Sequence, residues 1–241
     1  MELWGITDKG SVREQNQDNY AIVNLPDGSA LCVVCDGMGG AKAGNVASTM
    51  AVEAFCSFFR SQLELPRKER MLEAVDAANR AIYSRAREDE ACRGMGTTIV
   101  AAHILPDGST LMVNVGDSRG YKVQETGINR VTRDHSLVED MLLRGDITET
   151  EARSHPQKNL ITRALGVEAQ VRADVFELEL KQGSYLLLCS DGLSNIVEDQ
   201  ELLFEVIHGG PAQECCQRLL DISLGRGAPD NVTVVLLQMN A

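Results

Sequence analysis

The chain has 241 residues, 44% of them hydrophobic, with 23 Lys plus Arg against 35 Asp plus Glu and a net charge of −12. The apolar fraction excludes general disorder, and the length fits one domain over residues 1–241 with a sizeable core. The acidity disfavours nucleic acid or an anionic membrane as a partner. It leaves room for a local phosphate site, because bound metal ions reverse the sign of the charge there.

No apolar run approaches the roughly 18–20 residues of a membrane helix. The N-terminus lacks a signal-peptide pattern. The seven cysteines are odd in number and scattered through apolar stretches. Cys32 and Cys35 form a C-x-x-C, but on a strand their side chains point to opposite faces. They read as buried reduced thiols rather than a redox or zinc pair, which with no export signal points to the cytosol.

Glu2 to Thr7 alternates apolar and polar residues, a first strand, and Asp8-Lys9-Gly10 is a turn. A polar loop follows, Ser11-Val-Arg-Glu-Gln-Asn-Gln-Asp18. Asn19 to Leu25 resumes a strand, Pro26-Asp-Gly28 marks a hairpin, and the Leu31 strand pairs back. That strand runs through Leu31-Cys-Val-Val-Cys straight into Asp36, and the backbone loosens at Gly37, Gly39 and Gly40.

After Gly44 the pattern turns helical, with Val46, Met50, Val52, Phe55, Phe58 and Phe59 in a broad stripe. Pro66 starts a second helix carrying Met71, Leu72, Val75, Ala78, Ile82 and Tyr83 on one side, and both helices are expected on one sheet face. Thr97 to Leu105 is a strand. Pro106-Asp-Gly108 is a second hairpin, leading into Leu111-Met-Val-Asn-Val-Gly-Asp117. Ser118-Arg-Gly120 turns the chain, and Tyr121 to Glu125 is another strand.

Residues 134–166 differ in character. Ser136-Leu-Val-Glu139 is a capping box on a helix from Leu137 to Arg144, stopped by Gly145. Thr148-Glu-Thr-Glu151 caps a second short helix, and Ser154 to Asn159 is polar with little to bury. The segment is expected to be a mobile flap near the site, the alternative being an ordinary surface connection. Ala173 to Leu180 and Ser184 to Ser190 are expected to form a hairpin. Helices follow at Asp199 to Ile207 and Pro211 to Leu224, then a last strand to about Gln238. Hairpin-linked strands with helices in pairs predict antiparallel sheets covered by helix layers, not a doubly wound parallel sheet.

Asp36, Asp117, Asp191 and Asp230 sit at the ends of four strong strands. One Asp after a strand is an ordinary turn or cap residue. Four of them, if their strand ends meet, make an oxygen-rich pocket suited to hard cations, since a buried carboxylate is costly unless neutralised. Two such ions sharing one carboxylate and one water lower that water's pKa and present hydroxide in line with phosphorus. Asp36 is the candidate for the shared ligand, because Gly37 frees a backbone carbonyl beside it. A phosphoryl group also needs a positive clamp, and the planar fork of an arginine suits it. Arg13 lies near Asp18, but alone it reads as a solvated surface residue, and spacing does not bring it to Asp36.

Seven motifs occur in order: Arg13-Glu-Gln-Asn-Gln-Asp18, Asp36-Gly-Met-Gly-Gly40, Gly94-Met-Gly-Thr-Thr98, Gly116-Asp-Ser-Arg119, Asp134-His-Ser136, Ser190-Asp-Gly-Leu193 and Asp230-Asn231. Together they resemble the metal-dependent PP2C-type (PPM) protein serine/threonine phosphatases, in the form of the bacterial cytosolic branch. The resemblance implies an α+β, four-layer αββα sandwich of two antiparallel sheets flanked by helix pairs, with a flap subdomain. It implies that Asp36 bridges two Mn²⁺ or Mg²⁺ ions with help from the Gly37 carbonyl. Asp191 and Asp230 would bind one ion, Asp18 would support the other, and Arg13 would bind phosphate. Asp117 falls where bacterial members hold a third metal together with the residue at Asp191. The implied partners are phosphorylated proteins and an opposing Hanks-type Ser/Thr kinase, and the chain is expected to be a monomer.

Three departures stand out. Gln17 replaces a Glu found in many relatives, leaving the ligand role there to Asp18. Met38 stands where eukaryotic members have a His proposed as general acid, and a thioether has no proton to give. Asn195 replaces an Asp that supports the third metal in some relatives. His135 is a candidate for the missing acid, with a structural or helix-end role as the alternative. Two readings compete with hydrolysis of phosphoproteins at large: a phosphatase-like regulatory binding module, and a phosphatase of an anti-anti-sigma-type regulator. A phosphate loop at Gly37-Met-Gly-Gly40 is weak, since the Lys of a Walker motif is absent and Asp36 would face the phosphates.

Overall fold

The structure, a computed structural model, describes residues 1–240, apart from the side chains of Ala41 and Lys42. Its elements in chain order are β1 (Glu2–Asp8), β2 (Asp18–Asn24), β3 (Ala30–Met38), α1 (Gly40–Ser61) and α2 (Arg67–Glu88). Then come β4 (Gly96–Thr97), β5 (Ile99–Ile104), β6 (Ser109–Val115), β7 (Arg119–Gln124), β8 (Gly127–Arg130), α3 (Leu137–Arg144) and α4 (Glu149–Ser154). The chain closes with β9 (Asp174–Glu179), β10 (Tyr185–Cys189), α5 (Asp191–Ser194), α6 (Asp199–His208), α7 (Ala212–Gly225) and β11 (Val232–Gln238).

Two antiparallel sheets result, in the orders β1-β11-β10-β7-β8 and β2-β3-β5-β6-β9, with β4 paired to the end of β3. The alternation of each central strand explains the layers. In β3, Leu31, Val33 and Cys35 pack with α1 and α2 residues such as Phe55, Phe59 and Ile82. Cys32 and Val34 face the other way, onto Met112, Leu188, Val235 and Leu237 between the sheets. On the far side, Leu187, Val234 and Leu236 pack with Leu202, Val206, Cys215 and Leu219 of α6 and α7. The order of layers is helices, sheet, sheet, helices, which is the expected αββα sandwich. Each large apolar side chain buried in these layers contributes about 1.5–3 kcal/mol. All seven cysteines are buried and free, Cys32 and Cys35 on opposite faces as alternation requires.

Four expectations need correction. The segments 173–180 and 184–190 do not form a hairpin: β9 pairs with β6 in one sheet and β10 with β7 and β11 in the other. The short turn between them carries the chain across the sandwich instead of back along one sheet. The first helix begins at Gly40 rather than after Gly44. Asp117 does not end a strand, since β6 stops at Val115 and Asp117 lies in the bend before β7. Only half of the Ser136 capping box forms: Ser136 Oγ accepts from Glu139 N–H, but the Glu139 carboxylate accepts from Arg130 instead. The Thr148–Glu151 box is complete.

The flap segment is anchored at both ends. The Thr162 N–H donates to the His135 carbonyl at 2.7 Å, and Leu165 exchanges both backbone hydrogen bonds with Thr97. Its return is fixed to α2 by Asn79, whose Oδ1 accepts from Gly166 N–H while its Nδ2 donates to the Glu168 and Ala169 carbonyls. Asn79 is 1% exposed, so water cannot replace it. Asn79→Ala is expected to destabilise the chain by about 1–3 kcal/mol by orphaning those buried groups, read as a lower midpoint in urea unfolding. A midpoint equal to wild type would deny the anchor.

Candidate active site

The apolar alternation of the inter-sheet layer continues into polar residues at one end of the sandwich. Tyr20 and Ile22 share their face with Asp18, and Cys32 and Val34 share theirs with Asp36. The β2–β3 register sets Asp18 directly opposite Asp36. From the other sheet, Leu186 and Leu188 lead to Ser190, and Val235 leads back to Thr233. Ser190 Oγ and Thr233 Oγ1 both donate to Asp18 Oδ2 at 2.7 Å. Asp18 Oδ1 is buried with no hydrogen-bond partner.

Asp36 is held through its backbone. Its N–H donates to Thr98 Oγ1 at 2.9 Å, and its carbonyl accepts from Thr98 N–H at 2.9 Å and Thr97 Oγ1 at 2.8 Å. The side chain is left free to face the cleft. Gly37 follows where a Cβ would collide with the Gly44 and Gln17 carbonyl oxygens, so only glycine lets the first turn of α1 approach. Asp191 opens α5, and its Oδ2 accepts from Asn195 Nδ2 at 3.0 Å while Oδ1 is buried and unpartnered. Asp230 Oδ1 accepts from Asn231 N–H, and Arg13 Nη2 donates to Oδ2 at 2.7 Å.

These residues line one open cleft of about 480 Å³, whose walls include Arg13, Gly37, Met38, Asp117 and, from the flap, Asn159 and Ile161. Asp36, Asp117, Asp191 and Asp230 all face it; Asp18 lies just beneath.

The carboxylates raise one another's pKa. Burial first, then Asp18, Asp191, Asp117 and Asp230, holds Asp36 well above the ordinary carboxylate range. Burial and then Asp191 do the same to Asp117, and burial and then Asp230 raise Asp191. Burial raises Asp18 to about 7, against the pull of Thr233 and Ser190. A cluster of this kind is stable as anions only beside compensating positive charge. Arg13 supplies some on Asp230, but its side chain is 53% exposed and the pair is worth little.

A divalent cation fits the donor set. Every candidate ligand is an oxygen, two buried carboxylate oxygens lack partners, and the carbonyl after Asp36 belongs to a glycine at the cleft wall. As the side chains stand, no three His, Cys, Asp or Glu among the described residues already converge as a closed ion cage.

Spacing did not bring Arg13 to the pocket, and the structure gives the cause. Asn231 Nδ2 donates to the Lys9 and Gln15 carbonyls and its Oδ1 accepts from Gln17 N–H. One buried amide thus pins the 9–17 loop against the site. Its position beside Asp230 is the only sequence signal that could have marked it. Gln17, at the place of the missing Glu, donates through Nε2 to the Gly40 carbonyl at 2.6 Å. His135 does not reach the cleft. It is 6% exposed, its Nδ1 accepts from Gly116 N–H at 3.0 Å, and its Nε2 lies 3.2 Å from Asp174 Oδ2. Burial, opposed by that Asp174 contact, lowers its pKa. The alternative reading of His135 as a structural residue is the one its contacts support.

Residues 9–218 match the family model described as Protein phosphatase 2C. The chain belongs to the protein phosphatase 2C family. The serine/threonine phosphatase stp of Listeria welshimeri is 37% identical to this family member over 238 residues, covering 97% of this chain and 94% of the relative. The crystal structure of serine/threonine phosphatase Stp1 from Staphylococcus aureus superposes with a TM-score of 0.94 at 35% identity, covering 100% of this chain and 95% of that one. The catalytic domain of the serine/threonine protein phosphatase PstP, in complex with two manganese ions, superposes with a TM-score of 0.85 at 33% identity, covering 98% of this chain and 96% of that one.

The carboxylate cluster makes the metal-free stability of this PP2C-family chain depend on pH. Asp18 titrates near 3.8 when unfolded and about 7 when folded. The folded state therefore binds more protons between those values, and stability falls as pH rises from about 4 to 7. The melting temperature in chelator is expected to drop across that window, and divalent cation at pH 7 to restore it. Asp18→Asn should lessen the drop, the remainder coming from the raised Asp36, Asp117 and Asp191. A metal-free melting temperature that rises from pH 4 to 7 would contradict the electrostatics.

Proposed function

We propose that this enzyme hydrolyses phosphoserine and phosphothreonine on proteins, with Mn²⁺ or Mg²⁺ as cofactor. The observation that carries this reading is the cluster of mutually repelling, incompletely partnered carboxylates on the floor of an open cleft with a guanidinium at its edge. Asp36, with the Gly37 carbonyl, would hold two ions. Asp191 and Asp230 would complete one of them, with Asp18 in support, and Asp117 with Asp191 would serve a third, outer ion. The ions supply Lewis acidity and an acidified water for attack on phosphorus.

The chain's own residues do the rest. Arg13 offers two parallel N–H donors to a phosphoryl group, on a loop kept in place by Asn231. Asn159 and Ile161 of the flap bound the cleft where the rest of a phosphorylated segment would lie. Met38 lines the cleft and has no proton to donate, His135 is turned away, and no imidazole is among the residues that line the cleft. Residues 1–241 would act as one catalytic unit, a monomer opposing a Ser/Thr kinase of the Hanks type. The net charge of −12 favours a phosphoprotein over nucleic acid or an anionic membrane. Among the described residues no helix is long and apolar enough to cross a membrane, and seven free cysteines suit the reducing cytoplasm. A catalytically silent binding module is disfavoured because Asp18, Asp36, Asp191 and Asp230 are all present. Hydrolysis of phosphate from an anti-anti-sigma-type regulator falls within this reading.

Hydrolysis of a phosphothreonine peptide is expected to vanish in excess chelator and return with Mn²⁺. Asp36→Asn should lower kcat by more than about 10²-fold, because it removes the ligand both ions share. Full activity in chelator, or near-normal turnover of folded Asp36→Asn, would sink the proposal. Arg13→Ala is expected to lower kcat/KM by about 10–100-fold through loss of charged hydrogen bonds to the substrate, with Mn²⁺ affinity nearly unchanged by calorimetry. An unchanged kcat/KM would return Arg13 to the solvated surface.

A further inference from the structure

Arg119 of Gly116-Asp-Ser-Arg119 and the whole of Asp134-His-Ser136 have no role in the scheme above. The fold presses them together. His135 clasps Gly116 twice, its own N–H donating to the Gly116 carbonyl at 2.9 Å while its Nδ1 accepts from Gly116 N–H at 3.0 Å. Asp134, 6% exposed, accepts from Arg119 Nε through both oxygens at 3.0–3.1 Å and from Arg119 Nη2 at 2.7 Å. Ser136 caps α3 by accepting from Glu139 N–H. The bend between these grips is residues 116–118, with Asp117 at its centre.

The bend is tied on a third side as well. Ser118 Oγ lies 2.7 Å from Thr98 Oγ1, the atom that accepts from Asp36 N–H. At Gly116, φ is +105°, and a Cβ would collide with the Thr98 side chain, so the bend fits nothing larger there. Asp117 thus projects from a backbone fixed at Gly116, Ser118 and Arg119, though it belongs to no strand. The same segment reaches the flap: Arg130 Nη2 donates to Glu139 Oε1 at 2.7 Å and its Nη1 lies 3.6 Å from Asp134 Oδ2. Asp117, Asp191, Arg119, Asp134 and Glu139 line one second cavity of about 350 Å³ beneath α3 and α4.

We propose that His135 and Asp134 are positioning residues for Asp117, and that the chain Arg119–Asp134–Arg130–Glu139 ties the placement of Asp117 to the seating of α3. The proposal rests on the reading of Asp117 as a ligand of an outer ion. It assigns His135 no proton transfer. The ring works through Nδ1, which faces a backbone amide, and Nε2 faces Asp174 on β9.

Two substitutions at one position separate the roles. His135→Leu removes the acceptor for Gly116 N–H. His135→Asn keeps an oxygen near the place of Nδ1 and loses only the Nε2 side. The full chain is followed by hydrogen exchange of residues 114–118 without added metal, by calorimetric titration with Mn²⁺, and by kcat and KM on a phosphothreonine peptide. His135→Leu is expected to accelerate exchange in the bend, weaken the last Mn²⁺ bound by about tenfold and lower kcat more than it changes KM, the scale on which residues behind metal ligands act. His135→Asn should move all three readouts back towards wild type. Equal losses in both variants with bend exchange unchanged would overturn the proposal in favour of a function at Nε2.

Should His135→Leu fail to fold, Glu139→Ala removes only the outermost link, the acceptor for Arg130. It is expected to speed exchange in 137–144 and, to a smaller extent, in 114–118. Exchange in 114–118 equal to wild type would overturn the tie to α3. A wild-type chain that binds no Mn²⁺ would fail the functional reading instead, and bend exchange in the variants would still decide whether the clasp holds.

Discussion

Asp18 and Asp36 face each other across adjacent antiparallel strands, in a place where an apolar pair would ordinarily sit. Opposed like charges destabilise a sheet, and burial makes the repulsion worse. The rest of this end of the molecule follows from that conflict. Hydroxyls of Ser190 and Thr233 reach over from the second sheet to satisfy one oxygen of Asp18. The backbone of Asp36 is fastened so completely by Thr97 and Thr98 that its carboxylate cannot retreat. Asp117, Asp191 and Asp230 then converge on the same cleft from bends and strand ends. The positive charge such an arrangement requires exceeds what one half-exposed arginine supplies.

The sandwich is what makes the conflict tolerable. Two sheets share an inter-sheet layer of Val34, Met112, Leu188, Val235 and Leu237, fully buried or nearly so. The polar site is the end of that layer, reached by simple continuation of strand alternation. Its rigidity comes from the core beside it, while its two rims are separate loops held by single amides or rings. Asn231 secures the Arg13 loop on one side, and His135 with Asp134 secures the Asp117 bend on the other. The parts that rim the cleft are thus the less buried ones, the 11–17 loop and the 157–161 part of the flap.

Much of this was legible from residue order, for local reasons. Apolar runs that stop at Asp36 or Asp191, or begin just after Asp230, announce a strand and a carboxylate at its end. Helix pairs after β3 and after β10 announce two outer layers. What escaped reading depends on distant partners. The turn at Lys181-Gln-Gly183 looks like any hairpin turn, yet the strands flanking it join different sheets. The four residues of β8 are too few to carry a pattern of their own. Asp117 was read as a strand end because the apolar run points at it, but Gly116 with positive φ ends the ladder before it. His135 fits acid chemistry from the sequence, and fits a structural or helix-end role at least as well. Its burial and its contacts with Gly116, 19 residues away, and with Asp174 separate the two. Asn79 is an ordinary asparagine in the sequence and Asn231 is marked only by its place beside Asp230, yet each holds a segment far along the chain.

The central claim is that the Asp36 cluster is a divalent-cation site from which Arg13 is released towards phosphate. Anomalous diffraction at the manganese edge, on crystals grown with Mn²⁺, tests it most directly. The account predicts two strong peaks flanking the Asp36 carboxylate, one of them also beside Asp191 and Asp230, with the Arg13–Asp230 ion pair opened. A map with no peak at Asp36, with Arg13 still seated on Asp230, would contradict it.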